Sequence, residues 1–180
     1  IGNGNLCMES FSNFKPTLNF EEEVNGNTAV RKSDMGEIHT CNLISLNLAE
    51  LTSDEIEKHV ALAIRALDNT IDLTVTHLKE SNKHNLLYRT VGVGAMGLAD
   101  YLAREYMIYE DSINEINELF ERIALYSVKS SALLAKERGA YKAFKGSKWD
   151  QGIFFGKKIE WYGANSKFKD EWNEAFYLVE

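Results

Sequence analysis

Arg89-Thr90-Val91-Gly92-Val93-Gly94-Ala95-Met96-Gly97 is the stretch on which the fold turns. Its last six residues spell G-x-G-x-x-G, the letters of a dinucleotide-binding turn. The pattern around it predicts a short strand over 86–93 and a helix from about Met96. Glu110 stands about 18 residues past Gly92, beyond the apolar segment Tyr106 to Tyr109, roughly where a ribose-binding acid belongs. One alternative is therefore a Rossmann-like domain that binds NAD(P) or FAD on Gly92, Gly94 and Gly97. Three features oppose it. The preceding strand is short and carries Arg89. The long helix after Ser112 leads to no clear third strand. The most reactive residues of the chain, at its N-terminus, would be left idle. Glycines that let a strand turn tightly into a packed helix account for the pattern better.

Those reactive residues are in Asn5-Leu6-Cys7-Met8-Glu9. Read as a strand, the segment puts Asn5, Cys7 and Glu9 on one face in steps of about 7 Å, and Leu6 and Met8 on the other. One face then offers an amide, a thiol and a carboxylate, which are a hydrogen-bonding group, a redox or nucleophilic sulfur and a base. The plainer reading is an edge strand with a partly buried cysteine. A second cysteine follows in Thr40-Cys41-Asn42-Leu43-Ile44-Ser45-Leu46-Asn47-Leu48, a short strand or extended loop within 37–48. Cys7, His39 and Cys41 could together suggest a metal site, but His-x-Cys is poor spacing for tetrahedral zinc and no fourth ligand is evident.

The rest of the chain is helical framework. Thr52 and Glu55 form a capping box for a helix over 53–78, with Ile56, Val60, Ala63, Ile64, Leu67, Ile71 and Val75 as its apolar stripe. His59 and His77 fall on that helix as surface or end histidines. Residues 80–85 read as a polar loop. Ser112 and Glu115 form a second capping box, opening a helix over 112–138 whose stripe is Ile116, Leu119, Phe120, Ile123, Ala124, Val128, Ala132 and Leu133. Gly139 ends it. Residues 11–36 hold Pro16, the acidic run Glu21-Glu22-Glu23 and Asn25-Gly26-Asn27, all turn or surface signals. Residues 140–180 carry 11 of the 20 aromatics in a packing layer that closes with a short helix near Asp170 to Tyr177.

Composition narrows the function classes. The 180 residues suit one domain, and an apolar content of 44% supplies a core. One proline and 12 glycines favour long regular elements. A net charge of −7 speaks against nucleic-acid binding, which needs clustered Lys and Arg. The aromatic tail balances seven basic against six acidic residues, so it is a poor single-strand platform as well. No apolar run is long enough for a membrane span. The start, Ile-Gly-Asn-Gly, resembles neither an initiator methionine nor a signal peptide, as expected for an excised or processed piece. Two cysteines without a secretory signal suggest a reducing, cytoplasmic setting and reactive sulfur; two merely buried thiols in a non-catalytic helical interaction module are the rival account.

Taken together, N-L-C-M-E at 5–9, C-N-L-I-S-L-N-L at 41–48, R-T-V-G-V-G-A-M-G at 89–97 and A-K-E-R-G-A-Y at 135–141 resemble the large, catalytic subunit of ribonucleotide reductase. The resemblance covers nearly the whole chain. It implies an α/β fold, part of a ten-stranded α/β barrel, with residues 1–180 as one partial barrel domain. It implies that Cys7 becomes a thiyl radical and takes the 3′ hydrogen of the ribose. Glu9 would be the base at the 3′-hydroxyl, and Asn5 would bind the ribose hydroxyls. Cys41 would be one of two reducing cysteines that close a disulfide as the 2′ oxygen leaves as water. The residue types suit that chemistry: a thiol pair supplies two electrons, and a radical site gains from exclusion of solvent.

The same resemblance implies a nucleoside diphosphate substrate, the remaining segments of the large subunit, a large-subunit homodimer and a separate metal-containing small subunit that generates the radical. It implies no cofactor or metal in this chain, and thioredoxin or glutaredoxin as reductant of the whole enzyme. Several parts of the family pattern do not occur in these 180 residues: the upstream reducing cysteine, the P-T-x-S-T-S phosphate loop, the C-terminal tyrosine pair, the tail cysteines and the N-terminal allosteric, ATP-binding effector sites. Gly4 stands where serine is usual. The chain alone is therefore expected to be inactive.

Overall fold

The computed structural model describes residues 14–18, 22–24, 27–29, 35–154, 157–158 and 166–179. The strand expected over residues 1–10, with Asn5, Cys7 and Glu9, lies outside the described residues. A short antiparallel pair, β1 (Glu22–Val24) and β2 (Asn27–Ala29), flanks the Asn25-Gly26 turn signal. Next come β3 (Leu43–Asn47), α1 (Ile56–Leu73), α2 (Lys79–Tyr88) and β4 (Gly92–Met96). After them stand α3 (Leu98–Arg104), a 3₁₀ turn at Tyr109–Asp111, α4 (Ile113–Arg138), the two-residue strands β5 (Ile153–Phe154) and β6 (Lys157–Lys158), and α5 (Lys169–Val179).

β3 and β4 are parallel, in register from Leu43 opposite Gly92 to Asn47 opposite Met96. Parallel neighbours need a long crossover, which α1 and α2 supply. The ladder extends at both ends: Gly92 N–H donates to the Asn42 carbonyl and Leu48 N–H to the Met96 carbonyl, each at 2.9 Å. This helix-covered parallel pair makes the fold α/β, as the sequence suggested.

The glycine-rich stretch is therefore a strand. Gly92 and Gly94 lie inside β4, where the backbone is committed to β3, and no loop is left there to cradle a pyrophosphate. Gly97 makes the turn into α3 with φ +75°. A Cβ on it would sit 2.8 Å from Asn47 Oδ1, so glycine is required for the close approach as well as for the dihedral. The seven residues of α3 are a shorter helix than a dinucleotide fold places behind its phosphate turn. The expected strand over 86–93 is corrected to 92–96, because Leu86, Leu87 and Tyr88 complete α2.

α1 starts where Glu55 reaches back, its Oε2 accepting from Thr52 N at 3.1 Å and Thr52 Oγ1 at 2.7 Å; Thr52 Oγ1 caps no amide among the described residues, so half of the expected capping box forms. Its buried face is Ile56, Val60, Ala63, Ile64, Leu67 and Ile71. It ends at Leu73, five residues before the expected 78, so Val75 is exposed and His77 lies outside the helix. The β-branched run Thr74-Val75-Thr76 favours extended backbone there. Asn82 fixes it, accepting from Thr76 N at 2.9 Å and donating to the Thr76 carbonyl at 2.8 Å.

α4 is the spine between two cores. One joins Leu119, Ile123 and Leu134 to Leu46 and Leu48 of the β3 region and to Ile56, Val60, Ala63 and Ile64 of α1. The other joins Leu125 and Val128 to Trp172, Ala175 and Phe176 of α5. Each fully buried aliphatic or aromatic side chain contributes roughly 1.5–3 kcal/mol, so this double burial holds the 26-residue helix. Because α4 serves two neighbours, Leu125 and Leu134 are buried while Phe120 and Leu133, expected in the stripe, are 42% and 46% exposed. The second capping box does not form: Ser112 Oγ turns back to donate to the Ile108 carbonyl at 2.6 Å. α5 spans Lys169–Val179, covering the short helix expected near 170–177.

Candidate functional site

The described part of the candidate site is built where the extended segment 37–42 lies against α2, just before β3. Lys15 and Glu37 hold that segment by reciprocal backbone bonds of 2.8 and 2.7 Å. Asn42, at 7% exposure, anchors its far end. Asn42 Nδ2 donates to the Thr90 carbonyl at 3.1 Å and to the Asn85 Oδ1 and Thr40 carbonyl at 3.3 Å each. One side chain thus ties the residue after Cys41 to α2 and to the segment leading into β4.

Residues 80–85, expected as a polar loop, lie within α2. It is a helix whose inward face is polar: Ser81, His84 and Asn85 are buried. An apolar-periodicity reading cannot find such a helix, because its buried positions are hydrophilic. His84 is fully buried. Its ring stands edge-on to His39 at 5.1 Å and tilted on Tyr88 at 4.8 Å. Burial, and then the neighbouring His39, push the His84 imidazole below its usual range, which favours its neutral form. Asn85 Nδ2 and Thr40 Oγ1 are buried and find no hydrogen-bond partner among the described residues.

Tyr88 OH donates to Glu37 Oε2 at 2.9 Å, and Lys83 Nζ stands 3.1 Å from Glu37 Oε1. Burial alone would raise the Glu37 carboxyl, but the bonds from Lys83 and Tyr88 outweigh it and hold the group below the usual carboxylate range. The Glu37 carboxylate in turn pushes the Tyr88 phenol up. Glu37 is therefore a structural anion, held ionised and fully engaged.

Cys41 is exposed at the mouth of β3. Its Sγ stands 3.9 Å from His39 Nε2. The other nitrogen of that ring, Nδ1, is 3.3 Å from Thr90 Oγ1. Sulfur, imidazole and hydroxyl thus form a short chain ending at an accessible thiol side chain. Of the four residues singled out for chemistry, Cys41 is described. Asn5, Cys7 and Glu9 lie outside the described residues, as does one member of the Cys7, His39 and Cys41 metal idea. Among the described residues, no three His, Cys, Asp or Glu side chains gather as a metal site requires. No described helix is long and apolar enough to cross a membrane. Sequence reasoning passed over His84, Asn85 and Thr90; they reach the site from 43 to 51 residues away, and nothing local signals that.

The whole chain, residues 1–180, matches the family described as ribonucleotide reductase, barrel domain. A ribonucleoside-diphosphate reductase subunit alpha from Synechocystis is 45% identical over 171 residues, covering 94% of this chain and 20% of that protein. The subunit of the same name from Helicobacter pylori is 32% identical over 171 residues, with 84% of this chain and 22% of that protein covered. A third, from Chlamydia pneumoniae, is 40% identical over 124 residues, or 64% of this chain and 12% of that protein. The chain thus spans about a fifth of the length of the curated relatives that match most of it. With a parallel, helix-covered strand pair at its centre and a family match that leaves no residue out, this chain belongs to the ribonucleotide reductase barrel-domain family.

Proposed function

We propose that this chain is the central part of the catalytic barrel of a ribonucleoside-diphosphate reductase, and that it carries the residues that reduce a nucleoside diphosphate to its 2′-deoxy form for DNA precursor synthesis. What carries the reading is the joint occurrence of Asn5-x-Cys7-x-Glu9 and Thr40-Cys41-Asn42-Leu43 in a chain that matches the family over all 180 residues. Cys7, as a thiyl radical, takes the 3′ hydrogen atom and becomes a thiol. Glu9 accepts the 3′-hydroxyl proton, easing rearrangement of the substrate radical. Asn5 hydrogen-bonds the ribose hydroxyls and positions the 2′ leaving group. Cys41 and a second cysteine outside this chain supply two electrons and close a disulfide as water leaves. The hydrogen held on Cys7 then returns to C3′.

The setting follows from the same reading. Residues 1–180 act as one partial barrel domain within a homodimeric large subunit. The radical is supplied by a separate metal-containing small subunit, and a thioredoxin- or glutaredoxin-type dithiol re-reduces the enzyme. The chain itself holds no cofactor, and it works in the cytoplasm, where two cysteines stay reduced.

The test is made in the complete subunit, with its small subunit and a dithiol reductant present. Cys7→Ser should abolish deoxynucleotide formation, and Glu9→Gln should lower it by 100-fold or more, the scale of a lost general base. Cys41→Ser should stop repeated turnover. Activity retained by Cys7→Ser would remove that residue from the radical role. Turnover by the isolated 180-residue chain would overturn its reading as an incomplete piece.

A further inference from the structure

We propose that His39 is the proton partner of Cys41: its Nε2 takes the thiol proton when Cys41 acts as a reductant and returns it when the sulfur is released from a disulfide. The inference rests on the reading of Cys41 as a reducing cysteine, and it assigns a role to a residue outside the expected catalytic set. Its basis is the chain of contacts at the mouth of β3. Cys41 Sγ lies 3.9 Å from His39 Nε2, within reach of a sulfur hydrogen bond, and Thr90 Oγ1 stands 3.3 Å from Nδ1, so the ring is oriented from both ends. The hydroxyl can donate to Nδ1 or accept from it, so the ring can be held in either state of Nε2.

The charged and titratable neighbours support the assignment. His84 packs on His39 from α2, and its burial disfavours its own protonation. Glu37, Lys83 and Tyr88 face the same region but are engaged with one another. Cys41 is exposed, so a reductant can approach.

During re-reduction, a thiolate of the reducing dithiol attacks the sulfur bonded to Cys41. That S–S bond breaks, and Cys41 leaves with the electron pair as a thiolate. The His39 imidazolium passes its Nε2 proton to Sγ. The second thiol of the reductant closes the reductant's own disulfide and releases the mixed one. Two electrons move from the dithiol to the cysteine pair, and His39 is left as the neutral imidazole that takes the Cys41 proton in the next turnover.

The experiment is the pH dependence of Cys41 alkylation by iodoacetamide in the complete subunit, reduced beforehand and read by mass spectrometry on the Cys41 peptide. The wild-type protein should react with a midpoint below the ~8.5 of an ordinary thiol. His39→Gln should raise that midpoint by about one pH unit and slow alkylation at pH 7 about tenfold. Thr90→Val, which removes the Nδ1 partner at nearly unchanged volume, should shift the midpoint the same way by less. Superimposable profiles for wild type and His39→Gln, or a wild-type midpoint at or above ~8.5, would overturn the proposal. Multiple turnover by Cys41→Ser would instead overturn the reducing role of Cys41, and the alkylation profiles would still decide whether His39 governs the sulfur.

Discussion

Asp68 on α1 and Arg89 at the end of α2 are joined twice: Arg89 Nε donates to Asp68 Oδ1 at 2.7 Å, and Nη2 donates to the Asp68 carbonyl at 3.0 Å. The other carboxylate oxygen, Oδ2, accepts from Arg138 Nη1 at 2.7 Å. One carboxylate, 15% exposed, therefore links α1, the end of α2 and the end of α4. Arg89 is in the left-handed region at φ 47°, a conformation that costs a non-glycine residue about 1–2 kcal/mol. Asp68→Asn should lower stability by about 2 kcal/mol, the scale of lost charge-assisted bonds. Asp72→Asn removes another Arg89 partner, but Asp72 is 53% exposed, so its loss should stay under about 1 kcal/mol. Urea unfolding midpoints compare the two; equal losses would deny Asp68 its central place.

Compared with Gly146, another glycine with positive φ, Gly97 should be harder to replace. Alanine there meets both an unfavourable φ of +75° and Asn47 Oδ1 at 2.8 Å, in the segment that joins β4 to α3. Gly146, at φ +80°, has nothing within 4 Å of its missing Cβ. Gly146→Ala should therefore show only the backbone penalty, about 1 kcal/mol or about 2–4 °C in Tm. Gly97→Ala should lose more than twice as much. Adding Asn47→Ala to Gly97→Ala should recover part of the difference, because it removes the clashing oxygen. Equal Tm losses for the two glycines would show that the contact with Asn47 does not matter.

What could be read from the sequence follows from where the signal is local. α1 and α4 declare themselves through apolar spacing, since Ile56 to Ile71 and Ile116 to Ala132 each bury a face. α2 stays hidden because Ser81, His84 and Asn85 are what it buries. The glycines of β4 read as a turn by their letters, whereas their role depends on pairing with Leu43 to Asn47, a long-range fact. Cys41 is legible as a reactive type within a known pattern. Its partner His39 is only two residues away, and the metal reading noticed it; Thr90 and His84 come from distant elements. The roles of Asn5, Cys7 and Glu9 rest on sequence, since those residues are outside the described set.

Glu137 gives an acid-sensitive contact. Arg65 grips it with both ends of the guanidinium, at 2.9 and 2.6 Å, and this fork, ahead of every other influence, brings the Glu137 carboxyl down to about 2. A carboxyl depressed in the folded state stabilises above its unfolded pKa, and that contribution fades as pH falls through the folded value. The advantage of wild type over Glu137→Gln should be constant above about pH 5, shrink between the ordinary value of 4.5 and about 2, and vanish below that. Both side chains are about half exposed, at 45% and 52%, so 1 M salt should also shrink it. Urea titrations of the two proteins across that range are the measurement. An advantage that persists below pH 2 would point to packing, not charge, as the source.

Asn42 should be the residue whose loss most disturbs the ground beneath Cys41. Its side chain satisfies the Thr90 carbonyl at 3.1 Å and touches Asn85 and Thr40, while its own carbonyl accepts from Gly92 N–H at 2.9 Å. Asn42→Ala strands the buried Asn85 Oδ1 and two part-buried carbonyls and should cost about 2–3 kcal/mol, the penalty for unsatisfied polar groups. Asn42→Asp should be at least as damaging, because it turns a carboxylate toward two carbonyl oxygens. The backbone bond from Gly92 does not involve the Asn42 side chain, so hydrogen exchange at that amide separates two outcomes. If Asn42→Ala loosens the junction of 37–42 with β4, Gly92 should exchange faster by more than the drop in global stability accounts for. Exchange that merely follows the global loss would mean that the side chain stabilises the fold without specifically fixing the position of Cys41.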